Sequence, residues 1–361
     1  RIHRWARRYG LRGGGTERLT LLNSWEGVYF TFTEKVLHGM MKRAADLGIE
    51  LFVLDDGWFG GQFPRNDARA GLGDWQVNRA KLPHGLEGLI RQAEKLGMRF
   101  GIWVEPEMVN PCSELYQKHP EWVIGLPHRE NRLERSQYLL DLSNPDVRAY
   151  ILETMRKLLG EHPGISYVKW DCNRKISDPG SPWLDACHQG NLSIDYVRGY
   201  ESILDTLAAE FPAVTFQACS SGGGRADYGT MRRHHEFWTS DNTDACERVF
   251  MQWGIGHLFP AITMAAQVHS AYTGQNFTPG GSPWYENAVD YAEENGLILR
   301  KEFSDYSAPI TRADMAGIFA YALPVEELPR INRVASIPDV TSSTAHAGAI
   351  YLLYNAGVLA G

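Results

Sequence analysis

The chain has 361 residues, 43% of them hydrophobic and 22% charged, and a formal net charge of −7. That length holds one large domain and a small one, and the acidic balance argues against a nucleic-acid partner, which needs a basic stripe. No apolar run approaches the roughly 18 residues of a membrane span, and Cys112, Cys172, Cys187, Cys219 and Cys246 are odd in number with no C-x-x-C pair, against a disulfide framework or a zinc knuckle. The eleven Trp are flat apolar rings with one polar edge, which suits sugar faces. The chain starts at Arg1 with neither Met nor a signal peptide, which says little about its compartment.

One unit recurs in chain order. Thr33 is a good N-cap, Val36, Leu37, Met40, Ala44 and Leu47 follow at helical spacing, and Gly48 stops the helix. "IELFVLDDGW" (49–58) is then an apolar strand ending in charge. The unit returns with Leu86, Leu89, Ile90, Ala93 and Leu96, the stop Gly97, and "MRFGIWVEPE" (98–107). It returns again with the cap Asn144, Pro145 at the first helical position, Val147, Tyr150, Ile151, Leu158 and Leu159, the stop Gly160, and "ISYVKWD" (165–171). A fourth unit joins a helix near Ile194–Glu210 to "AVTFQACSSGGG" (213–224), and "HEFWTSDNTD" (235–244) is another short strand.

Strands alternating with helices predict a parallel sheet, and strands apolar on both faces predict helices covering it. The unusual residues stand at the carboxyl ends: Asp55 and Asp56, Trp103 and Glu105, Lys169 and Asp171, Cys219, Asp241. The expected fold is α/β, a (β/α)8 TIM-type barrel, in which those ends share one face. A doubly wound sheet is the weaker reading, because no G-x-G-x-x-G follows the first strand. Near residue 277 the chain changes character, and 282–299 resembles 347–361 at a shift of 61 residues, an internal repeat of short helices cut off at Gly361. The expected domains are 1–276 and 277–361.

Asp55, Asp56, Asp171 and Asp241 gather at one barrel mouth in this reading. Clustered carboxylates bind a divalent metal, or act as an acid and a nucleophile on a glycosidic bond. Lys169 among them opposes a metal, and the strand ends offer Trp, Lys and Cys where metal sites use His. Each residue also has a plainer explanation. Asp171 alone is an ordinary strand-end carboxylate, Asp55-Asp56 a turn cap, and "SDNTD" (240–244) an Asx-rich turn. Cys219 reads as a small buried hydrophobe, His234-His235 as structural, and "SSGGGR" (220–225) lacks the Lys-Ser/Thr of a phosphate loop.

Together, "NSWEGVYF" (23–30), "LDDGWFG" (54–60), "LGDWQVNRAKLPHGL" (72–86), "WVEPEMVNP" (103–111), "YVKWDCNR" (167–174), "CSSGGGRAD" (219–227) and "WTSDNTDACERV" (238–249) resemble the successive motifs of glycoside hydrolase family 36 α-galactosidases, over residues 1 to about 276. The resemblance implies retaining hydrolysis of terminal α-galactosides of the melibiose and raffinose type, without metal or cofactor. Asp171 matches the nucleophile and Asp241 the acid/base, with Asp244 second for that role. Asp55 and Asp56 match the pair that binds galactose hydroxyls. Trp103, Arg135, Lys169, Cys219 and Ser221 match other pocket positions, and Trp25 an aromatic at its mouth. Lys169, two residues from Asp171 on one strand face, is expected to depress the nucleophile's pKa, while that of the acid/base is raised. Retention places the two carboxyls roughly 5 to 5.5 Å apart. Two alternatives stand beside this reading: a galactosyltransferase of the raffinose-synthase type, and an inactive barrel in a wall-binding protein.

The C-terminal part, with Thr311-Arg312-Ala313-Asp314 at the T-R-A-E position, resembles an S-layer homology repeat. That implies binding to acidic cell-wall polysaccharide, with Arg312 as ion-pair donor. The glycosidase family normally carries a β-sandwich domain before the barrel and a small β domain after it, and forms oligomers through them. Neither is visible here. The S-layer-like segment begins where the eighth strand is due, so an incomplete barrel is expected.

Overall fold

In a computed structural model, the described residues are 1–265, 286–294, 298–299, 303, 305–306, 311–322, 330, 332–334 and 336–356. Seven short parallel strands pair in chain order: β1 (Leu21–Asn23), β2 (Leu51–Leu54), β3 (Arg99–Val104), β4 (Ile165–Trp170), β5 (Thr215–Ala218), β6 (Glu236–Trp238) and β7 (Met264–Ala265). Each strand lies beside its predecessor, the winding of a barrel, whereas a doubly wound sheet reverses direction at its centre. An eighth strand is not among the described residues.

The connecting helices form where the sequence signals them. In α1 (Glu34–Asp46) the Thr33 hydroxyl accepts from the Val36 amide at 3.4 Å. α2 spans Gly85–Lys95, and α3 (Pro145–Glu161) is capped by Asn144, whose side chain accepts from Asp146 N at 2.9 Å. α4 spans Leu192–Glu210. One expected face shifts. On α1 the buried apolar residues are Leu37, Met41 and Ala44, while Val36 and Leu47 are 45% and 57% exposed. The buried stripe therefore runs i, i+4, i+7 from Leu37, and Val36 and Leu47 lie off it.

Alternation along the strands separates two apolar layers. Phe52, Leu54, Phe100, Ile102, Val104, Val168, Trp170 and Phe216 pack with the helices. Leu51, Val53 and Tyr167 join Leu19 and Leu21 in a second cluster on the opposite sheet face. That face becomes polar further round. Tyr167 donates to Glu236 at 2.6 Å, Gln217 donates to Glu236 at 3.0 Å, and Arg18 pairs with Glu236 at 3.1 Å. Arg18 precedes β1, yet it also donates to the carbonyls of His235 (2.6 Å) and Ile262 (3.1 Å), just ahead of β6 and β7. The sheet is therefore curled until its two edge strands approach, an incomplete barrel.

Contacts divide the chain into two compact units, Arg1–Asp241 with Gly256–Ala265, and Asn242–Ile255 with Ala266–Gly361. The second holds α5 (Ala245–Ile255), α6 (Glu286–Glu294), α7 (Arg312–Ala322) and α8 (Ala347–Asn355). Its core joins Ala316 and Leu353 to Val249 and Ile350. The two segments of the internal repeat supply α6 and α8, each of nine residues. The repeat positions Gly296, Leu297, Gly357 and Val358 lie outside the described residues. No described helix is long and apolar enough to cross a membrane.

Gly101 stands at a register irregularity opposite Tyr167, and a Cβ there would lie 2.9 Å from the Tyr167 Cβ. Gly101→Ala is expected to destabilise the barrel by about 1–3 kcal/mol through overpacking. The shift in urea midpoint at unchanged m-value measures it; no shift would show that the interior has room.

Candidate active site

The site grows from the carboxyl ends of β1 to β6. On β2 the Asp55 amide donates to Ser24 Oγ (2.9 Å), and Asp55 Oδ2 accepts from Asn23 Nδ2 (2.6 Å) and Lys169 Nζ (2.8 Å). The pair is buried, and it bridges β2 to β4 across β3. Burial alone would lower the Lys169 pKa. Asp55, with Asp171 adding, outweighs burial and raises it, so the ammonium stays charged. Asp56 points its carboxylate elsewhere, into a two-pronged pair with Arg65 (Nε 2.9 Å, Nη2 2.8 Å). Burial pushes the Asp56 carboxyl above its ordinary value, and the Arg65 charge offsets only part of that.

Asp171 is held differently. Oδ2 accepts from Trp103 Nε1 (3.0 Å) and Asn173 Nδ2 (2.6 Å), and Oδ1 from the Cys172 amide (2.9 Å). The direct ion pair of Lys169 goes to Asp55, not to its strand neighbour Asp171. Pleat alternation places residues 169 and 171 on one face, but the register also brings Asp55 within reach, and the lysine extends sideways to it.

Cys219, at the end of β5, is buried, and burial raises its thiol well above the usual range, which keeps it protonated. Ser221 follows with φ 46°, and its amide and hydroxyl both donate to Asn173 Oδ1 (3.0 and 3.1 Å). Gly222 has φ 88°, and a Cβ there would stand 2.7 Å from Ser240 Cα and 3.1 Å from Asp241 N. Only glycine lets this loop press against the backbone that carries Asp241. Asp241 is exposed. Its carboxyl pKa is raised, first by partial loss of solvent and then by the Asp171 charge, against Lys169 and Arg135. Arg135, exposed and with φ 52°, acts on it through charge. Trp25 is half-buried, its ring edge-on to Tyr29 and Phe30 at 5.1 and 5.0 Å, and its amide donates to the Asn23 side chain that also bonds Asp55. Asp244 is a helix cap: its Oδ1 accepts from Glu247 N at 2.9 Å at the start of α5.

Hydrogen bonds thus form two sets: Asn23 joins Trp25 to Asp55 and its partner Lys169, and Asn173 joins Ser221 to Asp171 and its donor Trp103. Charge relates Asp241 and Arg135 to them, Cys219 stands at the end of β5 as a neutral thiol, and Asp56 turns to Arg65. A cleft of about 520 Å³ opens alongside, lined by Arg135, Asn173, Tyr196, Ser221 and Arg225 among others, a volume within the usual range for small-ligand sites. Among the described residues no group of three His, Cys, Asp or Glu side chains is placed to hold a metal.

Two carboxylates of this wall were given no role by the sequence: Glu105, noted only as a strand-end charge, and Glu107, not singled out. Glu105 Oε1 accepts from Asn173 N (2.5 Å) and Gln137 Nε2 (3.1 Å). Burial, reinforced by Asp171, pushes the Glu105 carboxyl up to about 8. Glu107 accepts from Trp170 Nε1 (2.8 Å), Tyr196 Oη (2.6 Å) and Arg225 Nη1 (2.9 Å). The available signal was "WVEPE" itself, where charge follows an apolar strand at period two.

Residues 3–278 match the melibiase family model. α-Galactosidase AgaA of Geobacillus stearothermophilus is 47% identical over 252 residues, 70% of this chain and 34% of that protein. An Escherichia coli α-galactosidase is 45% identical over 248 residues, 68% of this chain and 34% of that protein. Among solved structures, the family 36 AgaA enzyme of G. stearothermophilus has a TM-score of 0.71 at 46% identity, covering 73% of this chain and 37% of that one. AgaB of the same organism gives 0.73 and 45%, covering 77% and 38%. The chain spans about a third of the length of the curated relatives it matches.

Removing one partner of a buried pair leaves the other charge without compensation. Lys169→Met is therefore expected to cost about 3–5 kcal/mol, and the double variant Lys169→Met/Asp55→Leu less than that single change. A double-mutant cycle from urea melts reads this; simple additivity would mean that the pair does not couple.

Proposed function

The chain belongs to the melibiase family, and on that footing we propose that residues 1–276 form the catalytic barrel of a retaining α-galactosidase acting on melibiose- and raffinose-type sugars. Asp171 attacks the anomeric carbon while Asp241 gives its proton to the departing glycosidic oxygen, leaving a covalent glycosyl-enzyme. Asp241, now ionised, takes a proton from water, which attacks the same carbon and releases Asp171. Two inversions give net retention. Asp55, Asp56, Lys169 and Arg135 bind sugar hydroxyls, Ser221 and Cys219 border the sugar, and Trp25 and Trp103 supply aromatic surface.

The observation that carries this reading is the contrast between the two carboxyls. Asp171 is fixed by three N–H donors beside a buried lysine. Asp241 lies exposed with a raised pKa, as a group that must arrive protonated requires. An AgaA variant from G. stearothermophilus has been solved in complex with raffinose, and another with stachyose, which supports the substrate class.

The decisive assay is hydrolysis of a chromogenic α-galactoside by this 361-residue chain. Asp171→Asn is expected to lower kcat by about 10⁴-fold or more with an unchanged melt, and the first galactose seen by NMR is expected to be the α-anomer. Activity surviving in Asp171→Asn would remove Asp171 as nucleophile. A transfer product in place of free galactose would assign the chain to the galactosyltransferases.

Residues 277–361 are proposed as an S-layer-type, wall-binding region at the cell surface. Support comes from the equal lengths of α6 and α8 and from the signature Thr311–Asp314, where Thr311 Oγ1 donates to Asp314 Oδ2 (2.6 Å) and Asp314 N donates to Thr311 Oγ1 (3.1 Å), a reciprocal cap opening α7. The Arg312 side chain lies outside the described residues. The intact chain is expected to sediment with purified bacterial cell walls, and Arg312→Ala to stay in the supernatant. Absence of sedimentation for the wild type would dismiss this role.

A further inference from the structure

Asn173 is where the bonds around the nucleophile converge. Its amide side chain donates to Asp171, its side-chain carbonyl accepts twice from Ser221, and its backbone N–H donates to Glu105 at 2.5 Å. Glu105 is held on the other side by Gln137 Nε2, and the carbonyl of the same Gln137 accepts from Arg174 Nη1 at 2.7 Å. Residues 173 and 174 are thus fastened to one wall through Glu105 and Gln137. Asp171 touches Glu105 in none of these bonds.

We propose that Glu105 is a positioning residue for Asp171, acting through Asn173 as a neutral carboxylic acid. This rests on the reading of Asp171 as nucleophile. Geometry calls for an acceptor on Asn173 N, and either a carboxylate or a carboxylic acid supplies one. The surroundings decide between them. Glu105 is 1% exposed. Asp171 faces it from the end of β4 and Asp56 from the end of β2, both disfavouring a further negative charge, and Cys172 stands nearby with its thiol kept protonated by burial. Arg65 and the Asn173 amide favour ionisation, but burial is the largest influence and prevails. A neutral Glu105 keeps its acceptor on Asn173 without setting a second carboxylate against the nucleophile. An ionised one would repel Asp171 and strain the bond by which Asn173 orients it.

The sign of the linkage follows. The unfolded chain releases the Glu105 proton near the ordinary glutamate range, about 4.3, while the folded chain keeps it to about 8. The folded state binds the extra proton between these values, so this group's contribution to stability falls as pH rises through that window. Gln at 105 is isosteric with the neutral acid and titrates nowhere.

The test uses the whole chain as wild type, Glu105→Gln and Glu105→Ala. Melting temperature followed from about pH 4.5 to 8 is expected to fall more steeply for the wild type than for Glu105→Gln. With the chromogenic α-galactoside at neutral pH, Glu105→Gln is expected to keep kcat within about threefold, and Glu105→Ala to lose about tenfold or more in kcat with KM little changed. Parallel melting curves for wild type and Glu105→Gln would overturn the neutral-acid role, and a Glu105→Gln variant as impaired as Glu105→Ala would overturn it equally. A wild type that hydrolyses nothing would count against the glycosidase reading alone, and the melting comparison would still decide whether Glu105 is held neutral.

Discussion

The ion pair of Lys169 with Asp55 organises the rest of the molecule. It joins two strands that are not hydrogen-bonded neighbours, and Asn23 from β1 adds a third to the same carboxylate oxygen. A buried pair of this kind contributes little net stability compared with well-packed apolar side chains, because desolvation of both charges offsets their attraction. Its effect is on arrangement. A lysine ammonium in a barrel has to find its carboxylate, and only the observed stagger of β2 against β4 lets it do so.

The carboxylates around the mouth are each dealt with by a different neighbour. Lys169 answers Asp55, Arg65 answers Asp56, Arg225 answers Glu107 deeper in the wall, and Arg18 answers Glu236 beneath. Glu105 has an acceptor role and a proton to keep. Asp171 instead has three uncharged N–H donors, which orient it without committing it to a cation. A carboxylate bound rigidly to a guanidinium is a poor nucleophile, since attack on carbon means giving up that pairing. On the proposed mechanism, this separation of paired from merely oriented carboxylates would set the reacting group apart from its scaffold.

The recurring unit of capped helix, stopping glycine and apolar strand was legible because each signal is local. Thr33 and Asn144 cap within three residues, and the caps are where the sequence placed them. The strand ends were legible too, as charge following an apolar run. Partnership was not. Lys169 reads as the neighbour of Asp171, two residues on along one face, whereas its contact lies at Asp55, 114 residues away. Glu105 was visible as a strand-end charge, but its link to Asn173 depends on how the segment after β3 folds back. That segment has no period to read, since it is set by single contacts such as Gln137 to Glu105. Val36 and Leu47 were misplaced on the buried face because helical spacing tolerates a rotation of the stripe that only packing fixes.

Arg18 has a further consequence, in the order of assembly. Most strand pairs join neighbours in the chain, so each strand and helix can dock as it is made. The bond from Arg18 to the Ile262 carbonyl closes a separation of 244 residues. At ribosomal speeds of about 5–20 residues per second, the partner of Arg18 emerges roughly 12 to 50 seconds later. For that time Arg18 keeps its local bonds to Gly13 and Thr16, while the contact that draws the two edge strands together is missing. Synthesis is thus a waiting period for the curl of the sheet, which draws on a contact that residue 18 can make only once residue 262 has arrived.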